Sequence, residues 1–383
     1  MSMDYGKVVN DIFSQISGTR FDIKLWDSRI FKYGSTKEKP DFTLVFEDEN
    51  TAKRLISEGA LGFGEAYMEG KLRIEGNIDD YLRLRHQFKN IKPSARMVIG
   101  TLLAKRGAIT STKDQIAYHY DAGNDFFDKF LDEMTKSYSC ALFKNSSQKL
   151  DEAQLEKIKL ICSWLNLPPK STVLDLGSGW GGFAKYAAQK HKWNVEGLTL
   201  SKKQLKYSRD LISESGQSKR VNFNYKDMLT ELPKKQYDAV VMIESIEHVG
   251  EDRLASYFDD LYKLVKPGGS LYIQATGQYR SRRVDRFIAK YVFPGGYLPS
   301  YKELVSMPID AGFKAVEIHD DTDDYIRTMK IWTSSIEANK QFIENSYGEP
   351  FYKLWELWTH GAKVSFEVGY MSLFRLHFKK PSD

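Results

Sequence analysis

Val173-Leu-Asp-Leu-Gly-Ser-Gly-Trp-Gly-Gly182 is the stretch on which the fold turns. Its apolar start reads as a buried strand, its glycines as a turn, and the residues after them as the opening of a helix. Backbone N–H groups at such a helix start face a ligand, and the helix dipole favours negative charge there. Glycines admit a ligand where a Cβ would block it. A nucleotide-like cofactor is therefore expected near residue 178.

Gly177, Gly179 and Gly182 satisfy G-x-G-x-x-G, the spacing of a dinucleotide loop. That loop wants an acidic residue at the end of the second strand to hold a ribose. Glu196 has nearly the right spacing but falls inside the strand-like run Trp193–Leu200, whose end is Thr199. Asp175 lies within the first strand, which is unusual for dinucleotide loops. Downstream come Gln236-Tyr-Asp-Ala-Val-Val-Met-Ile-Glu-Ser-Ile-Glu-His-Val-Gly250 and Leu264-Val-Lys-Pro-Gly-Gly-Ser-Leu-Tyr-Ile273. This order resembles the class I methyltransferase fold, a Rossmann-like, doubly wound α/β sheet that binds S-adenosylmethionine.

Working outward, strands at 171–176, 193–200, 221–226, 238–243 and 270–276 alternate with helices at 181–190, 202–213 and 252–264. The alternation predicts a mostly parallel sheet. Val316–His319 and Ser372–Phe378 are expected to close it, and Leu150–Leu165 reads as an amphipathic helix. Residues 1–86 read as a small α+β domain with strands at Phe21–Leu25, Thr43–Phe46 and Lys71–Ile74. Its helices are expected at Thr51–Ser57 and Ile78–Arg85, with Gly59, Gly62, Gly64 and Gly70 as punctuation. Residues 87–113 read as a basic linker and 114–383 as the catalytic domain. Between Tyr81 and Lys113 there is no Asp or Glu, but there are eight basic residues: Arg83, Arg85, Lys89, Lys92, Arg96, Lys105, Arg106 and Lys113. With Met97–Ala104 as an apolar face, this stretch reads as a membrane-surface element, as a solvated inter-domain linker, or as a helix packed on the other domain.

The 383 residues suit two domains, and 42% hydrophobic content supplies ample core. No apolar run is long enough to span a membrane. The first residues lack the pattern of a signal peptide. Two cysteines exclude a disulfide framework and a Cys-rich zinc site. A cytoplasmic setting is expected, and the net charge of +5 favours an anionic partner.

Three further blocks bear on the reaction: Tyr118-His-Tyr-Asp-Ala-Gly-Asn-Asp-Phe-Phe127 with Lys136-Ser-Tyr-Ser-Cys-Ala-Leu-Phe143, Gly197-Leu-Thr-Leu-Ser-Lys-Lys-Gln204, and Ile243-Glu-Ser-Ile-Glu-His-Val-Gly250. Together with Val173–Gly182 they resemble the cyclopropane-fatty-acid synthase family over residues 114 to 378. The leading domain and basic linker are similar to its bacterial phospholipid-acting branch. The resemblance implies transfer of a methylene group from S-adenosylmethionine to a cis double bond of an acyl chain, with bound bicarbonate as proton acceptor. It implies Cys140 (through its backbone N–H), Glu247 and Tyr325 as bicarbonate ligands. The family's usual histidine falls on Gln274, a departure, since an amide donates but does not titrate. A further backbone ligand falls on Thr276. No thiol occurs at Gly361-Ala362-Lys363, where some relatives carry a late cysteine.

For the cofactor, the resemblance assigns Tyr138 and Ser139 as a lid. Asp175 is also counted as cofactor-binding; Gly177, Ser178 and Gly179 go to the methionyl and ribose end, Thr199 and Gln204 to the ribose, and Asp227, Met228, Leu229 and Ile243 to the adenine. It further implies an unsaturated phospholipid substrate at an anionic inner-membrane surface, a homodimer, and no nucleic acid or metal. His119 reads as a lid or packing residue and His248 as structural. Arg280, Arg282, Arg283 and Arg286 read either as a solvated helix face or as a contact for lipid phosphates. Three rivals remain: a lipid methyltransferase giving methylene- or methyl-branched chains, methylation of another acceptor, and a non-catalytic lipid-binding relative.

Overall fold

The computed structural model describes residues 3–34, 39–84, 87–107, 122–280 and 284–382. Arg85, Lys113, Tyr118–Asp121 with His119, and Arg282 and Arg283 lie outside the described residues. The chain divides into two compact units. The first takes residues 1–121, 285–294 and 336–364; the second takes 122–284, 295–335 and 365–383. Two late segments thus belong with the N-terminal one rather than with a continuous 114–383 domain.

The first unit holds a four-stranded sheet of β1 (Phe21–Lys24), β2 (Ile30–Tyr33), β3 (Phe42–Phe46) and β4 (Leu72–Gly76), in the order β2-β1-β3-β4. Asp48 caps helix Glu49–Glu58 by accepting from the Thr51 N–H at 2.8 Å. Helix Ala60–Met68 runs straight through Gly62 and Gly64, which the sequence presented as punctuation. A Cβ on Gly62 would lie 2.4 Å from the Arg54 carbonyl oxygen, and one on Gly64 2.2 Å from the Phe287 ring. These glycines serve close packing, not turning. Helix Tyr5–Phe13 and strand β2, neither anticipated, complete the α+β layer.

The second unit is built on a seven-stranded sheet: β5 (Thr172–Leu176), β6 (Asn194–Thr199), β7 (Val221–Tyr225), β8 (Tyr237–Ile243), β9 (Val265–Gly277), β10 (Lys314–Asp320) and β11 (Ser372–Lys379). The order is β10-β11-β9-β8-β5-β6-β7, with β11 antiparallel to both neighbours and the other pairings parallel. The helix expected over 181–190 is α-helical only for Gly182–Tyr186 and continues as a π-turn over Ala187–His191. The Lys-Pro-Gly-Gly turn is absorbed into β9, where Gly268 takes a φ of +74° and the register against β8 shifts. One apolar layer gathers Leu174, Met242, Leu261 and Leu376; the other gathers Ile158, Trp193, Val241 and Tyr272. The chain leaves β5 for β6 and β7, then returns to β8 on the other side of β5. That reversal opens a crevice at the carboxyl ends of β5 and β8, where open α/β sheets bind ligands.

Candidate active site

The glycine loop follows β5 at this crevice. Gly177, Gly179 and Gly181 have φ of +83°, +51° and +86°, a region L side chains avoid. A Cβ on Gly177 would come 2.6 Å from the Ser245 Cβ, whereas the side of Gly179 faces open space. Ser178 is anchored by its N–H donating to the Leu198 carbonyl at 2.9 Å. Asp175, just before the loop, is buried, and its carboxyl accepts no hydrogen bond from the described residues; desolvation pushes it up to about 7. An unpartnered acid beside an open glycine cradle suits a ligand that carries positive charge.

Apart from the lid, the other residues assigned to the cofactor lie at or just after the carboxyl ends of β6, β7 and β8. The Thr199 hydroxyl donates to Gln204 Oε1 at 3.0 Å, which joins the end of β6 to the next helix. Asp227 holds its own turn, accepting from the Leu229 N–H at 2.8 Å and the Thr230 hydroxyl at 2.9 Å. The Met228 carbonyl accepts from the Tyr257 hydroxyl at 3.1 Å. Leu229 and Ile243 pack against the two core layers. The residues present therefore fit S-adenosylmethionine.

Tyr138, Ser139 and Cys140 lie in a stretch without helix or strand, and Cys140 meets the turn after β8. Tyr138 stacks on Trp332 with centroids 5.3 Å apart and meets Phe127 and Phe130 edge-on. The Ser139 hydroxyl accepts from the buried Lys157 Nζ at 2.6 Å, and desolvation lowers that amine to about 8. Cys140 is fully buried, and desolvation raises its thiol well above the ordinary range, so it is no nucleophile.

Three of the residues expected around a bicarbonate do converge, but on a side chain the sequence reading passed over. The Cys140 N–H donates to Glu244 Oε1 at 2.7 Å, Gln274 Nε2 donates to the same oxygen at 2.7 Å, and the Tyr325 hydroxyl donates to Oε2 at 2.5 Å. Glu244 follows β8 directly with a φ of +51°, a costly conformation for a residue with a Cβ and one that marks functional turns. Its neighbour Ser245 donates to the Leu176 carbonyl at 2.6 Å, which ties this turn to the start of the glycine loop. Desolvation raises the Glu244 pKa; the three donors and the charge of Lys157 only partly offset it.

The orientation of the Gln274 amide follows from Arg375. The guanidinium can only donate, and its Nε meets Gln274 Oε1 at 3.1 Å, so the amide nitrogen must face Glu244. Arg375 is itself fully buried on β11 and is held by Asp321 at 2.5 Å and by the Ala141 carbonyl at 2.7 Å.

Glu247 stands apart from this cluster. Its Oε1 accepts from the Thr276 N–H at 2.6 Å, while its Oε2 is buried without a partner among the described residues. Desolvation, and then the nearby charge of Glu244, pushes it up to about 8.

These geometries bear on bicarbonate. The three donors assigned to it already serve Glu244, and a second anion would sit against that carboxylate. The residues present do not fit a bound bicarbonate.

The sequence signals for the missed residues were modest. Glu244 is a second acid within the quoted Ile243–Gly250 block. Arg375 is a lone cation inside an apolar strand, which calls for a buried partner.

A family model described as mycolic acid cyclopropane synthetase matches residues 108–376, and one for a domain of unknown function matches residues 8–91. The chain belongs to the mycolic acid cyclopropane synthetase family. It is similar to a probable fatty acid methyltransferase of Pseudomonas putida, 30% identical over 94% of this chain and 91% of that protein. It is also similar to the cyclopropane-fatty-acyl-phospholipid synthase of Escherichia coli K12, 31% identical over 86% of this chain and 85% of that one. A solved mycolic acid cyclopropane synthase, CmaA1, in complex with SAH and CTAB, superposes with a TM-score of 0.64 at 29% identity, covering 69% of this chain and 97% of that structure. As a member of this family the chain is an S-adenosylmethionine-dependent methyltransferase with an α/β methyltransferase fold, acting on lipids.

Proposed function

We propose that the chain transfers the one-carbon unit of S-adenosylmethionine to the cis double bond of an unsaturated acyl chain in a membrane phospholipid, closing a cyclopropane ring. The observation that carries this reading is the carboxylate cluster at the mouth of β8 and β9, beside the glycine loop and walled by Tyr138, Trp332, Tyr325 and Phe366. When bound, S-adenosylmethionine supplies an electrophilic methyl, which the alkene π pair takes while the C–S pair stays on sulfur. The cation so formed on the lipid must meet a base and no water. The aromatic side chains keep the surroundings apolar, the buried thiol offers no competing nucleophile, and Glu244 is the acid on which the three donors converge.

A surface for the lipid is available in the first unit. Helix Ala95–Gly107 exposes Val98, Ile99, Leu102 and Leu103 within the acid-free stretch. Apolar side chains flanked by basic residues favour an anionic bilayer, each Lys or Arg adding about 1 kcal/mol. No helix among the described residues is long and apolar enough to cross a membrane. We place the enzyme peripherally on the cytoplasmic face.

A second reading, a branched chain that keeps a double bond, is favoured by Gln274, which falls at the family's histidine position, and by Glu244, which takes the donors assigned to the anion. Incubation with S-adenosylmethionine and vesicles of cis-unsaturated phospholipid separates the two. Both products gain one CH₂. Ring closure removes the vinyl proton resonances and adds upfield ring protons, whereas branching keeps vinyl protons. No mass gain on any acyl chain would overturn lipid methylation itself.

A further inference from the structure

We propose that the Glu244 carboxylate is the proton acceptor of this enzyme, standing where relatives would hold a free anion, so that turnover needs no bicarbonate. This inference rests on the lipid methylation proposed above. Its support is geometric. An acceptor in this place needs donors that fix it, an open face toward the reacting carbon, and no escape into solvent. The Cys140 N–H, the Gln274 amide and the Tyr325 hydroxyl fix both oxygens of Glu244. Those donors are buried, whereas Glu244 as a residue keeps partial accessibility. Oε1 takes two donors, but Oε2 takes only the Tyr325 hydroxyl, so it keeps a lone pair that can accept a proton.

Gln274 belongs to the same arrangement. A histidine there could present either a lone pair or an N–H; a glutamine amide locked by Arg375 presents only N–H to Glu244. A permanent donor suits a permanent carboxylate. The backbone agrees, because a φ of +51° is the conformation a glycine would take freely, and a glutamate is held there at a cost.

The chemical step balances without a further reagent. The lipid cation breaks one C–H bond. Its electron pair forms the third ring bond if the proton comes from the transferred methyl, or a double bond if it comes from a neighbouring carbon. The proton goes to a Glu244 oxygen, and the neutral acid returns it to water once product has left.

The test compares wild type, Glu244→Gln and Glu244→Gly, each with S-adenosylmethionine and unsaturated phospholipid vesicles, in carbonate-stripped buffer and with millimolar bicarbonate added. Binding is read separately, by titrating ¹³C-bicarbonate into protein loaded with S-adenosylhomocysteine. Wild-type turnover should not change with bicarbonate, and wild type should show no saturable bicarbonate binding. Glu244→Gln should lose about 10³-fold in kcat, within the range for a positioned acid or base, with S-adenosylhomocysteine affinity kept. Glu244→Gly opens the anion's place, and should bind bicarbonate and regain at least part of the lost rate. Wild-type turnover that requires bicarbonate would overturn the proposal, as would a Glu244→Gln enzyme of near-normal rate. Should Glu244→Gly fail to fold, the wild-type titration and the isosteric Gln variant decide alone. If wild type makes no product under either condition, lipid methylation is what fails; the bicarbonate titration still reads whether Glu244 fills the site.

Discussion

Glu65 in the first unit and Glu244 in the second are both glutamates drawn out of bulk water, and their partners divide them. Glu65 is buried and meets cations: Lys290 at 2.6 Å and Arg54 at 2.9 Å, with the Tyr291 hydroxyl at 2.8 Å. Desolvation would raise it, but Lys290, Tyr291 and Arg54 together bring it below the ordinary carboxylate value. Glu244 meets only neutral donors directly, and its pKa is raised. A carboxylate neutralised by cations is a poor base and a good structural clamp. One held by neutral hydrogen-bond donors alone keeps its basicity. The contrast sets a structural clamp against the base proposed above.

The largest expected effect breaks the reactive side of this contrast. Glu244→Gln should lower kcat about 10³-fold while leaving thermal stability nearly unchanged, because it removes a desolvated charge and keeps the shape. Differential scanning calorimetry alongside the vesicle assay checks both halves. The mirror experiment is Glu65→Gln. It removes the carboxylate that faces Lys290, while Arg54 keeps Glu69 at 2.6 Å, and should destabilise the first unit by about 2 kcal/mol, read by urea unfolding, with no change in kcat of the folded enzyme.

Tyr325→Phe probes how the neutral donors tune Glu244. Losing the hydroxyl leaves the carboxylate less stabilised, so its pKa rises further. Glu244 must be ionised to act, so the acidic limb of the kcat profile should move to higher pH. The rate at its optimum should drop about tenfold, the scale of one charge-assisted hydrogen bond.

The smallest effect concerns Glu247. Its folded pKa of about 8 exceeds the unfolded value, so the native state binds the extra proton between them. Stability from this group is full below about 4.5, a normal carboxyl value, and is lost as pH rises toward about 8. Glu247→Gln should flatten the decline of the melting temperature across that window.

The sequence carried the second unit well. A glycine turn after an apolar strand, followed by alternating segments, is a local pattern, and β5 through β9 lie close to where periodicity put them. It carried the first unit less well, because Gly62 and Gly64 look like breakers until the Arg54 backbone and the Phe287 ring are seen against them. At the site, Cys140, Gln274 and Tyr325 were legible as a group, but the atom they surround was not. Nothing local marks Glu244 over Glu247, since both are acids after the same strand. What separates them is a backbone φ and three donors from distant parts of the chain, which only the folded arrangement supplies. Arg375 was hidden for the same reason: its role is to orient Gln274, a partner about a hundred residues away.

The most direct measurement is turnover of cis-unsaturated phospholipid vesicles with methyl-deuterated S-adenosylmethionine in carbonate-stripped buffer, with the acyl products read by mass spectrometry. With Glu244 as the acceptor, labelled product should form at the rate seen with bicarbonate present. If ring closure is the outcome, the transferred carbon should have lost one deuterium. Product that appears only after bicarbonate is added would contradict the account.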